Sequence, residues 1–309
     1  MAVPVIDFSK LDGDKRAATM TEIARACEEW GFFELTNHGI SSKLLEGVKK
    51  VCSDCYRVER EEGFKDSKAV HLLNELIDGG DSRARIDDVD WEDVFLLQDD
   101  NQWPSNPPEF KETMREYRSE LKKLAEKLLE IMEENLGLER GYIKRTFAGG
   151  DEDGCRLPFF GTKVSHYPPC PRPDLVAGLR AHTDAGGVIL LFQDDRVGGL
   201  QVLKDGRWLD VQPLAGAIVV NTGDQIEVVS NGRYKSAWHR VLASRDGNRR
   251  SVASFYNPAL EATIQPATPA ASAAPAVYPK FVFGDYMAAY AKQKFSAKEP
   301  RFRALLGNM

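Results

Sequence analysis

The sequence predicts an α+β chain with a double-stranded β-helix (jelly-roll) core flanked by N-terminal and C-terminal helices. Three observations carry this. Helical spacing dominates residues 1–150, short runs of β type separated by turn dipeptides fill 158–258, and helical spacing returns from Asp285 to Leu306. The expected organisation is therefore a mostly helical N-terminal region (1–150) packing on the barrel, a core (158–258), and an Ala/Pro-rich connector with a C-terminal helix (259–309).

Met20, Ile23, Cys27 and Trp30 recur at helical spacing, and Gly31 stops that helix. Phe32 to Thr36 reads as a short strand. In the next helix Leu44, Leu45, Val48, Cys52 and Cys55 share one face, so the C-x-x-C thiols read as buried core and not as a redox pair. Residues 64–88 are charged and show no periodicity. Trp91 to Leu97 reads as a strand. Phe110, Met114, Tyr117, Leu121, Leu124, Leu128 and Ile131 mark a long amphipathic helix closed by Gly137, better read as one helix packed on a sheet than as a coiled coil. Beyond residue 158, Asp205-Gly, Gly223-Asp, Asn231-Gly and Asp246-Gly punctuate eight short runs: 160–167, 188–193, 200–203, 208–211, 218–221, 226–229, 235–242 and 251–256. Such spacing is that of an antiparallel sandwich or barrel of jelly-roll type. Residues 266–279 form an Ala/Pro-rich stretch expected to bury little.

Composition narrows the function. Of 309 residues 42% are hydrophobic and 28% charged, with 41 Lys and Arg against 47 Asp and Glu, a net charge of −6. A nucleic-acid binder would show a basic excess or stripe, and neither is present. The apolar run Val188–Phe192 falls far short of the roughly 20 residues of a membrane span. The N-terminus has no basic segment leading into an apolar stretch, so no signal peptide is expected. Five cysteines, an odd number, argue against a secreted disulfide scaffold. A cytoplasmic monomer acting on a small molecule, with no nucleic-acid or membrane partner, is the expectation.

Chemistry concentrates in 158–258. Alternation along Leu179–Asp184 puts Arg180, His182 and Asp184 on one strand face. A cation, an imidazole and a carboxylate do not share a buried face without a task. His182 and Asp184 can reach one metal ion, and His239, one of five histidines, sits on another predicted strand. H-x-D alone is a weak signal; with a second strand-borne histidine it becomes the two-histidine, one-carboxylate set of non-haem Fe(II) oxygenases. Arg249 and Ser251 share a face and form a natural carboxylate clamp. Lys163, Ser165 and Tyr167 share another face. Lys163 could equally be a solvated edge residue, and His166 points away from it.

At this point the residues carry a resemblance. Phe160-Gly-Thr-Lys-Val-Ser, Tyr167-Pro-Pro-Cys-Pro, Gly178-Leu-Arg-Ala-His-Thr-Asp-Ala-Gly-Gly, Leu191-Phe-Gln-Asp-Asp and Ser254-Phe-Tyr-Asn-Pro are similar to plant 1-aminocyclopropane-1-carboxylate (ACC) oxidases. So are Ala26-Cys-Glu-Glu-Trp-Gly-Phe-Phe-Glu-Leu and the tail Ala297-Lys-Glu-Pro-Arg-Phe. The resemblance spans essentially the whole chain; His166 and Arg303 depart from the family pattern. It implies an Fe(II)-dependent oxidoreductase that turns ACC, dioxygen and ascorbate into ethylene, carbon dioxide, cyanide, dehydroascorbate and water, with bicarbonate or carbon dioxide as activator. It implies His182, Asp184 and His239 as iron ligands and Lys163, Arg180, Arg249 and Ser251 as catalytic residues. Lys294 and Arg301 would join these four in binding substrate, ascorbate or activator, and Tyr167, Phe192, Asn221 and Phe255 would form the pocket wall. The tail would fold over the barrel mouth. Two other readings compete: a 2-oxoglutarate-dependent dioxygenase acting on another plant hormone or flavonoid-like metabolite, and a non-catalytic jelly-roll module.

Overall fold

In the computed structural model, residues 1–79, 85–149, 156–267 and 275–306 are described. Eleven strands build two facing antiparallel layers: β1 (Val5–Asp7), β2 (Phe32–Thr36), β3 (Asp93–Leu97), β4 (Phe159–Tyr167), β5 (Ala177–His182), β6 (Val188–Gln193), β7 (Leu200–Lys204), β8 (Arg207–Asp210), β9 (Ile218–Thr222), β10 (His239–Leu242) and β11 (Arg249–Asn257). The large sheet runs β1-β2-β9-β6-β11-β4-β3 and the small one β5-β10-β7-β8; only β1 and β2 pair in parallel. The N-terminal region thus adds three strands to the large sheet. Helices α1 (Arg16–Glu29), α2 (Ser42–Cys55), α3 (Glu61–Lys65), α4 (Lys68–Asp78), α5 (Phe110–Leu136), α6 (Tyr142–Phe147), α7 (Asp224–Val229), α8 (Phe283–Gln293) and α9 (Glu299–Leu306) surround the layers, and a separate antiparallel pair joins Thr263–Ile264 to Phe281–Val282. None of the described helices is long and apolar enough to cross a membrane.

The main core lies between the outer face of the large sheet and α1, α2 and α5. Met114, Tyr117, Leu121 and Leu128 of α5 are wholly buried there, with Val188 and Leu190 of β6. Burying each such side chain contributes about 1.5–3 kcal/mol. Gly137, at φ 71°, ends α5 in the left-handed conformation. Gly31 is needed more strictly: its φ is 65°, and a Cβ there would stand 2.2 Å from the Lys235 carbonyl oxygen. Cys52 and Cys55 are buried, free thiols on the inner face of α2, and burial pushes both up to about 12.

Several expected elements differ. Residues 64–88 contain a turn of α3 and all of α4, which Ser67 caps by accepting the Val70 N–H. The run 226–229 is helical, because the chain leaves Gly223 extended and Glu227 N–H closes back on the Gly223 carbonyl. An apolar run of four residues fits either structure. The strand expected at 235–242 starts only at His239: Lys235 and Ser236 are bound by Cys27, Thr222 and Glu227 instead of a sheet partner. Of the Ala/Pro-rich stretch, 268–274 lies outside the described residues. Its edges are tied down, Ala267 N–H to the Val229 carbonyl and Val277 N–H to Asn231 Oδ1.

One carboxyl is buried on β2 without a partner for one of its oxygens. Glu34 of β2 is 4% exposed, its Oε1 has no hydrogen-bond partner, and burial pushes its pKa up to about 7 from 4.5. The native state therefore holds a proton that the unfolded chain has already lost. Its contribution is complete below about pH 4.5, fades as pH climbs through 7, and amounts to on the order of 3 kcal/mol. Glu34→Gln, neutral at every pH, is expected to raise Tm by several degrees at pH 8 and to change it little near pH 5. Equal shifts at both pH values in a thermal melt would contradict the assignment.

Candidate metal centre and active-site pocket

The cavity lies between the two sheets. Period-two alternation aims Lys163, Ser165 and Tyr167 of β4 and Arg249, Ser251, Ala253 and Phe255 of β11 into it. The β4–β11 register pairs Tyr167 with Arg249, Ser165 with Ser251 and Lys163 with Ala253, so these residues form adjacent rows of one wall. Phe32 of β2, Ile189 and Leu191 of β6 and Asn221 of β9 extend that wall; Leu179, Leu200 and Val241 of the small sheet face it; Met287, Tyr290 and Lys294 close one end. The cavity measures about 220 Å³. That is below the roughly 300–1,000 Å³ usual for drug-sized ligands and suits a small amino acid.

At its floor the end of β5 meets the start of β10, where His182 and His239 stand opposite each other in register. Asp184 follows two residues after β5. Its Oδ1 lies 3.6 Å from His182 Nε2 and its Oδ2 3.5 Å from His239 Nε2. Among the described residues these three form the group of His, Cys, Asp and Glu side chains whose ligand atoms all lie within 4.8 Å of one another. Their hydrogen bonds set them up as ligands. The Nδ1–H of His182 donates to the Arg180 carbonyl at 2.8 Å and that of His239 to the Ala237 carbonyl at 3.1 Å. A carbonyl can only accept, so each Nε2 keeps its lone pair for a metal. Asn221 Nδ2 holds Asp184 Oδ2 at 2.8 Å, and Asp224 N–H holds the Asp184 carbonyl at 2.8 Å. Burial, and next the adjacent His239, pull His182 well below the ordinary imidazole value, which keeps it neutral. Two imidazoles and one carboxylate, oriented from behind, fit Fe(II).

The expected residues do not all converge. Lys163, Tyr167, Asn221, Arg249, Ser251, Phe255 and Lys294 line the cavity with the triad. Phe192 does not. It pairs with Val252, one step off the pocket-facing Ser251 and Ala253, and so packs outward against Tyr117 of α5. Arg180 does not line the cavity but lies over the Phe295 ring, its guanidinium and N–H bound by Asp90 and its Nη1 by the Asp87 carbonyl. Arg301, on α9, is fully buried and does not line the cavity, and Pro300 lies in the first turn of α9 and does not interrupt it. His166 stacks on Tyr56 at 3.6 Å and pairs with Asn248.

Three polar neighbours had no sequence signal: Asp90 on Arg180, Glu92 on Lys163, and Gln193, whose Oε1 accepts Arg249 Nη2 at 3.0 Å. Arg249 is 2% exposed, its Nε has no partner, and its Nη1 reaches Ser251 Oγ at 3.5 Å. A buried guanidinium that lines a cavity and keeps an N–H unused is a receptor for a carboxylate. Burial, then the Lys163 ammonium, lower Lys294 from the ordinary lysine value.

Two antiparallel layers closed around an open-sided His-Asp-His triad define a mononuclear non-haem iron oxygenase. A model of the 2OG-Fe(II) oxygenase superfamily matches residues 159–258, and one described as non-haem dioxygenase in morphine synthesis N-terminal matches 3–116. The chain is 71% identical over 308 residues to a 1-aminocyclopropane-1-carboxylate oxidase of Musa acuminata and 67% identical to 1-aminocyclopropane-1-carboxylate oxidase 5 of Arabidopsis thaliana, covering 99% of each chain in both cases. A solved structure of JOX2 in complex with 2OG, Fe and JA superposes with a TM-score of 0.80 at 32% identity, over 99% of this chain and 89% of that one. The chain belongs to the ACC oxidase family of the 2OG-Fe(II) oxygenase superfamily.

Proposed function

We infer that this chain forms ethylene from ACC and dioxygen with ascorbate as reductant, activated by bicarbonate or carbon dioxide. The observation that carries the reading is a His-Asp-His triad at the floor of a small cavity whose wall holds Arg249, Ser251, Lys163 and Lys294, in a chain 71% identical to an ACC oxidase.

Iron held by His182, Asp184 and His239 supplies the electron transfer between dioxygen, ascorbate and substrate. The protein's own part is binding, orientation and exclusion of water. Asn221 and the two backbone carbonyls fix the ligand side chains before any metal arrives, so little reorganisation is left to binding. Arg249, with Ser251 beside it, receives a carboxylate or bicarbonate in a low-dielectric setting where one charge-assisted contact is strong. Lys294, brought in by the end of α8, adds positive charge opposite β4 and β11. Phe32, Leu179, Ile189, Leu191 and Val241 line the rest and suit the hydrocarbon part of a cyclopropane amino acid. Arg180 is paired with Asp90 and is not a free cation of the cavity. Among the described residues Cys27, Cys52, Cys55 and Cys170 are buried free thiols, which fits a reducing compartment such as the cytoplasm.

Purified protein given Fe(II), ascorbate, bicarbonate and ACC is expected to release ethylene into the headspace, and to release none when ascorbate is replaced by 2-oxoglutarate. A requirement for 2-oxoglutarate with succinate as product would replace this reading with the general dioxygenase one.

A further inference from the structure

Glu92, one residue before β3, reaches into the pocket wall. Its side chain is 6% exposed, and both oxygens are engaged: Oε1 lies 2.8 Å from Lys163 Nζ and accepts the Tyr167 hydroxyl at 2.5 Å, while Oε2 accepts Lys163 Nζ at 2.9 Å. The backbone beneath it is held from three sides. Trp91 N–H donates to the Ala177 carbonyl of β5 at 2.8 Å, Trp91 Nε1–H donates to the Pro168 carbonyl at 2.9 Å, and Asp93 pairs with His166 across β3 and β4. Glu92 is therefore a fixed acceptor for two residues that line the cavity.

Its charge matters as much as its geometry. Among the described residues three cations line the cavity, Lys163, Arg249 and Lys294, against the carboxylate Asp184. Glu92 stands behind the wall and is the carboxylate partner of Lys163, whereas Arg249 hydrogen-bonds the neutral Gln193 and Ser251 and lies 5.0 Å from the Tyr167 ring, with no carboxylate in direct contact among the described residues. One wall cation is thus committed to a built-in carboxylate and another is left for an incoming anion.

We propose that Glu92 is a positioning residue of this oxidase, which pins Lys163 and Tyr167 to the wall and so directs the incoming carboxylate or bicarbonate to Arg249. The proposal rests on the reading of Lys163 as an active-site residue. Without Glu92 the Lys163 ammonium becomes a second, misplaced anion receptor: anions bind more tightly and less productively. Lys163→Met removes that receptor, and in its background the loss of Glu92 frees no cation and releases only the uncharged Tyr167 hydroxyl.

The test is a double-mutant cycle read in two ways, steady-state ethylene formation and calorimetric titration of bicarbonate into metal-free protein. Glu92→Gln is expected to lower kcat about tenfold or more and to bind bicarbonate at least about threefold more tightly, since a buried ammonium has lost its counter-charge. Adding it to Lys163→Met is expected to change kcat less than about twofold. Glu92→Asp, which keeps the charge, should retain wild-type bicarbonate affinity and covers the case in which Glu92→Gln does not fold. A purely structural role predicts lower kcat with bicarbonate affinity unchanged in Glu92→Gln, and that result overturns the proposal. Losses that multiply in the double variant also overturn it while leaving Lys163 in the site. Wild-type kcat in Lys163→Met removes Lys163 from the site and the proposal with it.

Discussion

Replacing His182, Asp184 or His239 by alanine is expected to abolish ethylene formation and weaken Fe(II) binding while leaving the fold intact. The fold should survive because the ligands sit at strand ends, and the buried sheet rows and α5 do not depend on them. Asp184→Ala carries a second cost. It strips the Asn221 amide of its acceptor, which leaves a buried donor unsatisfied at about 1–3 kcal/mol. Asn221→Ala separates orientation from ligation: all three ligands remain, but Asp184 loses the bond that aims it, and Fe(II) affinity should fall about 10–100-fold. Equilibrium Fe(II) titration with circular dichroism as the control for folding measures both. Full activity in Asp184→Ala would refute the metal assignment.

How much of this site was legible depended on whether its logic was local. Alternation along single strands is local, and it correctly grouped Lys163 with Tyr167 and Arg249 with Ser251. The triad was legible because His182 stood two residues from a carboxylate on one predicted strand and His239 fell on another. Phe192 was assigned to the pocket by resemblance, against the parity of its own strand: Ile189 and Leu191 face the cavity, so Phe192 faces α5. Partners that approach from elsewhere left no trace. Asp90 and Glu92 stand at the start of the short edge strand read from Trp91 to Leu97, and nothing in the sequence says that Asp90 binds Arg180 or that Glu92 lies against Lys163. The C-terminal basic residues show the same limit. Their spacing was visible, but not the helix they meet, because that helix was read as a strand.

Arg301→Ala is expected to undock the C-terminal segment and, through that, to lower ethylene formation by about 100-fold or more. The guanidinium has five N–H donors and the structure gives it five acceptors: Gln293 O (3.3 Å), Lys294 O (2.9 Å), Ser296 O (3.1 Å), Thr183 Oγ1 (2.8 Å) and Asp224 Oδ2 (3.2 Å). Three of these close the end of α8 and the turn after it; the other two belong to the loop between the metal ligands and to α7. Three residues earlier Lys298 binds Glu227, three residues after Asp224, so two cations at matching spacing meet two buried carboxylates on one helix. This latch holds Lys294 in the cavity and lets the Tyr290 hydroxyl donate to the Thr183 carbonyl. Removing Arg301 leaves Asp224, wholly buried, without its guanidinium, which costs about 3–5 kcal/mol. Undocking relieves that cost by letting water reach the carboxylate, and Lys294 leaves with the tail. If Arg301 instead served by binding the activator, its charge alone would matter. Arg301→Met combined with Asp224→Asn decides between the two, because it removes both charges and leaves no orphaned carboxylate. The paired variant is expected to resist proteolysis between Gln293 and Lys298 better than Arg301→Ala and to recover ethylene formation at least about tenfold. A paired variant as inactive as the single one, with its tail protected, would place Arg301 in activator binding after all.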